Sequence, residues 1–254
     1  MSTAAMNGAV EGHTVVSWQE WLPARLELLA KEKELRRHMD EVARLRRDLP
    51  WRRVEQNYTF ETDEGRKTLS ELFEGRSQLV IYHFMFGPNS KQGCSGCSFV
   101  ADHMEGARLH LPQRDVTLLA VSRAPLVKID LFKKRMGWKF HWVSSAGGTF
   151  NFDYHVSFKQ EEVGPGEVYY NYHRKAFRES EEPGLSGFYK NAGQVFHCYS
   201  TYARGLDILI GTYNYLDLVP KGRDEDGLEM PMAWLRHHDR YEDRPKVSSC
   251  ECQE

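Results

Sequence analysis

Two cysteines, with two residues between them, lie in the stretch Gly93-Cys94-Ser95-Gly96-Cys97-Ser98. An apolar run precedes this stretch and a helical pattern follows it, so the pair is expected at the start of a helix. Thiols at this spacing can close a disulfide, and the free backbone N–H groups of a helix N-terminus stabilise a thiolate. The stretch therefore predicts a redox-active Cys94–Cys97 disulfide and no separate cofactor.

The two cysteines are expected to have different roles in thiol–disulfide exchange. Cys94 precedes the helix and is the expected nucleophile, its thiolate favoured by the helix N-terminus and by nearby Lys91. Cys97 lies in the first helical turn, where burial is expected, and would resolve the mixed disulfide. This predicts a thiol–disulfide oxidoreductase, with the substrate, the direction of electron flow and the reductant left open.

A second hypothesis makes the same two cysteines a metal or iron–sulfur site. Two thiols are half of a tetrahedral site, so further ligands are needed. The chain offers His83, His103, His197 and Cys198 for that role. A third hypothesis is a scaffold or ligand-binding protein without turnover.

Two other regions could support the site. Arg123 follows the second apolar run directly and is expected at the carboxyl edge of the sheet, where ligands of α/β proteins bind. Trp142 belongs to an aromatic segment that could line a pocket beside the cysteines. Cys250 and Cys252 lie in a polar tail, and the sequence favours no role for them.

Bulk properties exclude several classes of protein. The 254 residues are 41% hydrophobic and 28% charged, which is close to the composition of ordinary globular proteins. The net charge of -2 does not indicate the excess of basic residues that is typical of nucleic-acid-binding proteins. Apolar runs are too short to span a membrane, and the first residues lack the pattern of a secretory signal. We expect a cytoplasmic protein, in which five cysteines do not form a structural disulfide framework.

The N-terminal part of the chain predicts a helical arm. Apolar residues recur at helical spacing from Ser17 to Asp48, and Ser17 with Glu20 has the capping-box spacing. Leu49-Pro50 marks the end of the helix. Because such an arm often packs on a neighbour, a homodimer through the arm is a hypothesis.

The middle of the chain predicts a βαβ unit around the cysteines. The apolar run 78–86 is typical of a strand buried on both faces, and residues 99–111 continue as a helix. A second buried strand over 116–121 is followed by a helix from Pro125 to Met136, which Gly137 ends. The two strands are therefore expected to be parallel.

The last part of the chain predicts an insertion, a hairpin and a closing helix. Residues 138–158 suggest short strands or loops, and the polar segment after them suggests an insertion with one hairpin. A β-hairpin is expected around the turn Asn191-Ala192-Gly193. A closing helix follows over 202–218, with a possible short helix near 233–238. The expected parts are an N-terminal segment and arm (1–50), a core domain (51–218, with an insertion at about 159–186) and a polar extension (219–254).

Several blocks of sequence carry a resemblance to a known family. They are Gly93-Cys94-Ser95-Gly96-Cys97-Ser98-Phe99, Val121-Ser122-Arg123-Ala124-Pro125, Met136-Gly137-Trp138, Val195-Phe196-His197, Tyr199–Asp207 and Gly211–Asp217. With the element order over residues 54–218, the chain resembles thioredoxin-like proteins of the peroxiredoxin branch. It is identified as a member of the bacterial family DUF899. The resemblance implies an α/β, thioredoxin-like fold with a central mixed sheet flanked by helices, a helical arm and an insertion before the final hairpin.

The resemblance also implies which residues surround the cysteines. Thioredoxins have a tryptophan before the first cysteine and a cis-proline before the hairpin. Here Gly93 takes the first place, and Pro183 and Ser186 precede the expected strand. With Ser95 and Gly96, these are the expected supporting residues. Peroxiredoxins have a threonine or serine three residues before their cysteine, where this chain has Lys91 before Cys94. The implied partner is a thiol or disulfide substrate or a redox protein.

Overall fold

The chain divides into two compact units, residues 1–50 and residues 51–254. The structure is a computed structural model that describes residues 9–10, 12–163, 166–176 and 179–241. Within those ranges no helix has the length and apolar character needed to cross a membrane.

The N-terminal unit consists of a short hairpin and one long helix. Strands β1 (Ala9–Val10) and β2 (His13–Thr14) pair antiparallel, and α1 runs from Trp18 to Asp48. Ser17 caps α1: its hydroxyl accepts the Glu20 N–H at 3.3 Å, and the Glu20 carboxylate accepts the Ser17 N–H at 3.0 Å. The predicted capping box is confirmed.

Helix α1 leaves its apolar residues exposed. None of its 31 residues, all of them within the described ranges, is buried. Trp18, Leu35 and Met39 are exposed by 63%, 61% and 49%. A stripe of this kind is typical of an interaction surface, and the homodimer stays a prediction.

The second unit is built on an eight-stranded mixed sheet. Its strand order is β3-β12-β11-β6-β7-β8-β4-β5. The strands are β3 (Arg52–Arg53), β4 (Thr59–Thr62), β5 (Gly65–Thr68), β6 (Gln78–His83), β7 (Val116–Ser122), β8 (His141–Ser144), β11 (Gly184–Asn191) and β12 (Gln194–Tyr202). A separate hairpin pairs β9 (Val168–Tyr170) with β10 (His173–Lys175).

The centre of this sheet has the thioredoxin-like arrangement. Strands β6 and β7 are parallel and are joined through α2 (Ser95–His110). Strand β11 pairs antiparallel with β6, and β12 follows it as the second strand of a hairpin. Helices α3 (Leu126–Met136), α4 (Phe150–Asp153) and α5 (Gly211–Leu216) complete the unit. The predicted α/β, thioredoxin-like fold is confirmed.

Strand β6 separates two hydrophobic cores because successive side chains point to opposite faces. Tyr82 packs in the core that also contains Cys97 and helix α3 residues. Leu79 and Ile81 pack in the other core, with Phe150 and Tyr154. The parallel pairing expected for the apolar run is present, and the run is buried from Leu79 to Phe86 except for the partly buried Val80 and Met85.

Several expected element boundaries were wrong. Strand β6 ends at His83 rather than residue 86. Helix α2 begins at Ser95, so Cys94 precedes it and Cys97 lies in its first turn, as expected. Residues 150–153 are helical rather than extended, because Tyr154 and Asp153 close a turn on Phe150 and Thr149.

Other differences lie in the last part of the chain. The expected closing helix is broken at Ile210 into a 3₁₀ helix, Ala203–Leu209, and α5. Residues 233–238 form turns, and the only helical turn there is 3₁₀, His238–Arg240. The hairpin predicted within the insertion is present as β9 and β10. Strand β11 begins at Gly184, so the insertion ends earlier than expected.

Candidate functional site

The two cysteines lie where the loop after β6 meets the N-terminus of α2. Cys94 is the N-cap residue, with φ -61° and ψ 136°, and its sulfur accepts the Cys97 N–H at 3.5 Å. Cys94 is partly exposed, whereas Cys97 is 2% exposed. Both are free thiols, as is Cys198. The capping geometry places the more accessible sulfur at the positive end of the helix dipole.

The surroundings shift the pKa values of the two thiols in opposite directions. A hydrogen bond from the Cys97 thiol, supported by the backbone N–H groups of Cys97 and Gly96, lowers the pKa of Cys94 to about 6 against the effect of burial. Burial and the adjacent Cys94 raise the pKa of Cys97 well above its ordinary value. At neutral pH the pair therefore consists of one thiolate and one thiol.

Strand β6 and the loop after it hold this pair in place. The Met85 N–H donates to the Cys97 sulfur at 3.4 Å, and the Met85 carbonyl accepts the Cys94 N–H at 3.2 Å. Tyr82 is fully buried beside Cys97, and its hydroxyl has no hydrogen-bond partner of standard geometry. That hydroxyl favours the Cys97 thiolate, because a donor at this position stabilises the negative sulfur.

Gly93, directly before the first cysteine, is enclosed by aromatic rings. A Cβ atom at this position would lie 2.7 Å from the Phe84 ring and 2.8 Å from the Phe132 ring. The Gly93 carbonyl shares a hydrogen bond with His237 Nε2 at 2.9 Å. The position therefore requires glycine, and it leaves no room for the tryptophan that the resemblance would place there.

A cavity of about 710 Å³ opens beside the cysteines. Its wall includes Cys94, Gly96, Cys97 and Pro183, together with residues 221–226. Pro183 stands directly before β11, and all peptide bonds of the described residues are trans. Of the expected supporting residues, Gly96 and Pro183 thus lie in the cavity with the cysteines. Ser95 is the first residue of α2.

Two partly buried carboxyl groups lie close enough to Cys94 to interact with its charge. Burial raises the pKa of Glu181 to about 7, with Arg123 opposing the shift and Cys94 adding to it. Burial and Cys94 likewise raise the pKa of Glu182 to about 7. Arg123 lies 3.9 Å from Glu181 and stacks on the Phe152 ring at 4.4 Å. Arg123 therefore acts on a neighbouring carboxylate rather than lining the cavity.

The remaining expected residues lie away from the cavity. Lys91 lines a different groove, with Phe132 and Arg135. Trp142 is buried in the core, and its indole N–H donates to Ser122 Oγ at 3.0 Å. Ser186 is buried and shares a hydrogen bond with His83.

Ser186 belongs to a chain of hydrogen bonds across three strands. His83 Nε2 lies 2.8 Å from Ser186 Oγ, which lies 2.8 Å from Ser200 Oγ, and His197 Nε2 lies 2.7 Å from Ser200 Oγ. Burial lowers the pKa of His83 to about 3 and that of His197 to about 4, so both imidazoles are neutral. We call these four residues the imidazole chain.

The ligands of the metal hypothesis are not brought together. His197 contacts Tyr154 and Phe188, and His103 bonds the Phe99 carbonyl and Thr212. Across the described ranges, no three or more His, Cys, Asp or Glu side chains are arranged to hold an ion. Cys198 lies near the Phe196 carbonyl, 3.7 Å away. Cys250 and Cys252 lie outside the described residues.

Sequence reasoning missed several residues of the site. Tyr82 lies in the buried strand that the sequence predicts, where nothing in the sequence indicates a role for it. Alternation along the strand puts Tyr82 on the face of the sheet that holds Cys97 and puts His83 on the opposite face. The sequence predicts a polar extension after residue 218. In the structure Met232 and Glu225 of this segment line the cavity, and His237 Nε2 shares a hydrogen bond with the Gly93 carbonyl. The signal there was the density of aromatic and histidine residues in Trp234-Leu235-Arg236-His237-His238.

Comparisons with known proteins place the chain in a family. A search of curated proteins finds no match to the chain. Among solved structures, the peroxidoxin BcpB of Mycobacterium tuberculosis is 13% identical, with a TM-score of 0.45 over 65% of this chain and 95% of its own. A cysteine-to-serine mutant of peroxiredoxin Q of Xanthomonas campestris is 15% identical, with a TM-score of 0.41 over 66% of this chain and 98% of its own.

A third similar structure is a secreted disulfide oxidoreductase of Mycobacterium tuberculosis. It is 17% identical, with a TM-score of 0.36 over 61% of this chain and 92% of its own. A family model described as "Bacterial protein of unknown function (DUF899)" matches residues 10–241. The chain therefore belongs to the DUF899 family.

Proposed function

We propose that this protein is a thiol–disulfide oxidoreductase that uses Cys94 and Cys97. The observation that carries the proposal is the opposite shift of the two thiol pKa values at one helix N-terminus. A thiolate that is partly exposed can attack, and a buried thiol three residues away can complete the exchange. The cavity beside the pair gives a substrate access to Cys94.

The reaction proceeds in two exchange steps. The Cys94 thiolate attacks one sulfur of a substrate disulfide, so that a Cys94–substrate disulfide forms and one substrate thiolate leaves and takes a proton from water. The Cys97 thiol then loses its proton and attacks the Cys94 sulfur, which releases the second substrate thiol. The substrate gains two electrons and the protein ends with a Cys94–Cys97 disulfide, which an external dithiol reduces.

Tyr82 and Met85 support the second step. Cys97 must ionise in a buried site, where its pKa is raised. The Met85 N–H and the Tyr82 hydroxyl are the groups that stabilise its thiolate as the charge develops. Glu182 has a pKa of about 7 and is a candidate to exchange the proton.

Trapping of mixed disulfides tests the proposal and the order of the roles. Cys97→Ser is expected to accumulate an adduct on Cys94 after exposure to a disulfide, because the resolving thiol is absent. Cys94→Ser is expected to accumulate none, because Cys97 is buried and protonated. Mass spectrometry of the intact proteins measures both. Adducts in Cys94→Ser alone would reverse the roles, and adducts in neither variant would refute the proposal.

A further inference from the structure

The segment after residue 218 forms a wall of the cavity, and this limits what can reach Cys94. We propose that the substrate is a small, uncharged, largely apolar disulfide rather than a disulfide of a folded protein. This inference rests on the proposed function and adds the substrate class. Three observations support it: the contacts that hold residues 221–239 in place, the position of Met232 over the CxxC turn, and the apolar side chains that line the cavity.

Glu225 holds the wall near the cysteines. Its Oε1 atom accepts three hydrogen bonds, from the Tyr213 hydroxyl at 2.9 Å, the Met232 N–H at 3.1 Å and the Trp234 indole at 2.6 Å. These donors lie on α5 and on the wall itself, so one carboxylate fixes the path of residues 225–234. Trp234 also packs edge-on against Phe99 of α2, at 5.6 Å between ring centroids.

Arg223 ties the beginning of the wall to the second unit. Its guanidinium donates to Asp207 at 2.9 Å and to Asp217 at 2.9 Å. It also lies 4.0 Å above the Tyr213 ring. Partly buried charge pairs and ring stacking of this kind fix a guanidinium in one position.

The far end of the wall is anchored beside Gly93. Asp239 receives two hydrogen bonds from Arg135, both at 2.7 Å, and His238 Nδ1 lies 2.6 Å from Asp102. Leu235 is 4% exposed and lies in the hydrophobic core that contains Tyr82 and Cys97. The wall is therefore part of the folded unit rather than a loose extension.

The wall crosses the surface of the CxxC turn. Met232 Sδ would lie 3.7 Å from a Cβ atom placed on Gly96, between the two cysteines. A folded protein offers its disulfide on an extended segment that must lie flat against the CxxC turn. Met232 lies over that surface, and Glu225 holds Met232 in place through its N–H, so a flat segment is obstructed whereas a molecule that enters the cavity reaches Cys94.

The lining of the cavity suits an apolar molecule of low mass. Its volume of about 710 Å³ lies within the range of small-molecule sites. Its inner part is formed by apolar side chains: Met85, Val100, Leu206, Ile210 and Met232. The buried Tyr82 hydroxyl also borders this space, beside the Cys97 sulfur, so the one polar group of this inner part serves the thiol pair rather than a polar ligand.

Charged groups around the cavity do not favour a charged ligand. Arg204 and Arg223 pair with Asp207, and Arg223 also pairs with Asp217. The exposed rim carries both signs, with Lys221 near Asp224 and Asp226. The rim therefore presents charges of both signs rather than one sign that would select an anion or a cation.

Single-turnover oxidation of the reduced protein tests the substrate class. Three probes are compared at equal disulfide concentration: bis(2-hydroxyethyl) disulfide, which is small and uncharged, cystine, which is small and charged, and insulin. Acid quenching and mass spectrometry follow formation of the Cys94–Cys97 disulfide. Each rate is divided by the rate of free dithiothreitol with the same probe, which corrects for the reactivity of the probe.

The uncharged small probe is expected to exceed insulin by about tenfold or more in the normalised rate, with cystine between them. Glu225→Ala removes the acceptor that holds the wall and is expected to reduce this ratio about fivefold. Glu225→Gln keeps an acceptor oxygen and is the matched control. Met232→Ala widens the same opening without removing a charge, and it gives a second measurement if Glu225→Ala folds poorly.

The outcomes separate this inference from the proposed function. Equal normalised rates for insulin and the small probe in the wild-type protein would overturn the inference and leave the oxidoreductase intact. A normalised rate for cystine above that of the uncharged probe would overturn the apolar substrate class. Failure of all three probes to oxidise the cysteine pair would refute both proposals.

Discussion

Adjacent residues of β6, Tyr82 and His83, face two sides of the sheet that hold titratable groups in different ways. Tyr82 belongs to the thiol side, with Cys94 and Cys97 against the cavity. His83 belongs to the imidazole chain, where its ring stacks on Phe150 at 5.5 Å. Both sides contain buried groups with strongly shifted pKa values. On the thiol side one of them, Cys94, is shifted toward the reactive form.

The difference shows that a shifted pKa alone does not identify a functional group. On the imidazole side, desolvation lowers the pKa of both histidines and keeps them neutral, and the Nε2 atom of each ring has a serine hydroxyl as its partner. On the thiol side, hydrogen bonds overcome desolvation at Cys94 and create a charged nucleophile next to a cavity. Reactivity needs the charged form and access together.

The largest expected difference is in the reactivity of Cys94. With a pKa of about 6, Cys94 is about 90% thiolate at pH 7, whereas Cys198, with a pKa of about 11, is ionised in about one molecule in 10⁴. The lower basicity of the Cys94 thiolate offsets roughly half of that advantage on a logarithmic scale. We expect iodoacetamide to modify Cys94 about a hundredfold faster than Cys198.

Peptide mapping after timed alkylation measures these rates across pH 4 to 9. The Cys94 rate is expected to rise with pH and level off above about 7, because its thiolate population is then complete. In concentrated denaturant the cysteines should react at similar rates, which is the control for local sequence. A Cys94 rate that still rises between pH 8 and 9 would contradict the lowered pKa.

A smaller effect is expected from breaking the imidazole chain. Ser186→Ala removes the partner of His83 Nε2, and His83 Nδ1 already has none. A buried imidazole without partners should lower the free energy of unfolding by about 1–3 kcal/mol. Urea denaturation measures this loss. Alkylation of Cys94 is expected to stay within about twofold of wild type, because the chain does not contact the thiols.

Ser98→Ala is the matched variant on the thiol side. Ser98 is also a buried serine, and its hydroxyl donates to the Cys94 carbonyl at 2.8 Å. That carbonyl also accepts the Ser98 N–H at 2.9 Å, so it keeps a partner after the substitution. The expected loss is about 0.5–1.5 kcal/mol. A Ser186→Ala variant that altered Cys94 alkylation more than Ser98→Ala did would show that the two sides are coupled.

The sequence predicted the parts of the site that are local and missed those that depend on distant contacts. The position of the cysteines after a buried strand follows from the apolar run 78–86, and the difference in burial between them follows from their places on the helix. Glu225 could not be predicted, because its importance lies in contacts with Tyr213 and Trp234. The spacing of apolar residues along the sequence indicates helices and strands. The wall of the cavity is formed by turns and irregular backbone, so its sequence has no such spacing to read.

The fold class and the parallel pairing of the two central strands were predicted, but the ends of the elements were not. Strand β6 stops at His83 because the next backbone groups bond across to Val121 and to the cysteine loop. Lys91 shows the same limit within the site: three residues from Cys94 in sequence, it lines another groove because the loop turns between them. Short sequence distance does not give side-chain proximity in a loop.

A further expected effect concerns the pH dependence of the free energy of unfolding, where the two sides act in opposite directions. Glu182 has a pKa of about 7 in the folded protein, above its ordinary value of 4.5, so between these values the folded state holds a proton that the unfolded state has lost. Stability from this group is present below pH 4.5 and falls as the pH rises through 7. His83 and His197, with lowered pKa values, instead lose stability as the pH falls through 6.5.

Glu182→Gln removes the cost of ionising this carboxyl group in the folded protein. The substitution should therefore raise the free energy of unfolding only at high pH. At pH 4 wild type and variant are expected to have nearly equal free energies of unfolding, since the carboxyl group is then mostly protonated in both states. At pH 8 the variant is expected to be more stable by about 1–2 kcal/mol, a value reduced for partial exposure. Urea denaturation at both pH values measures this, with the exposed Glu161→Gln as control. Equal gains at pH 4 and pH 8 would mean that packing, rather than ionisation, separates the variant from wild type.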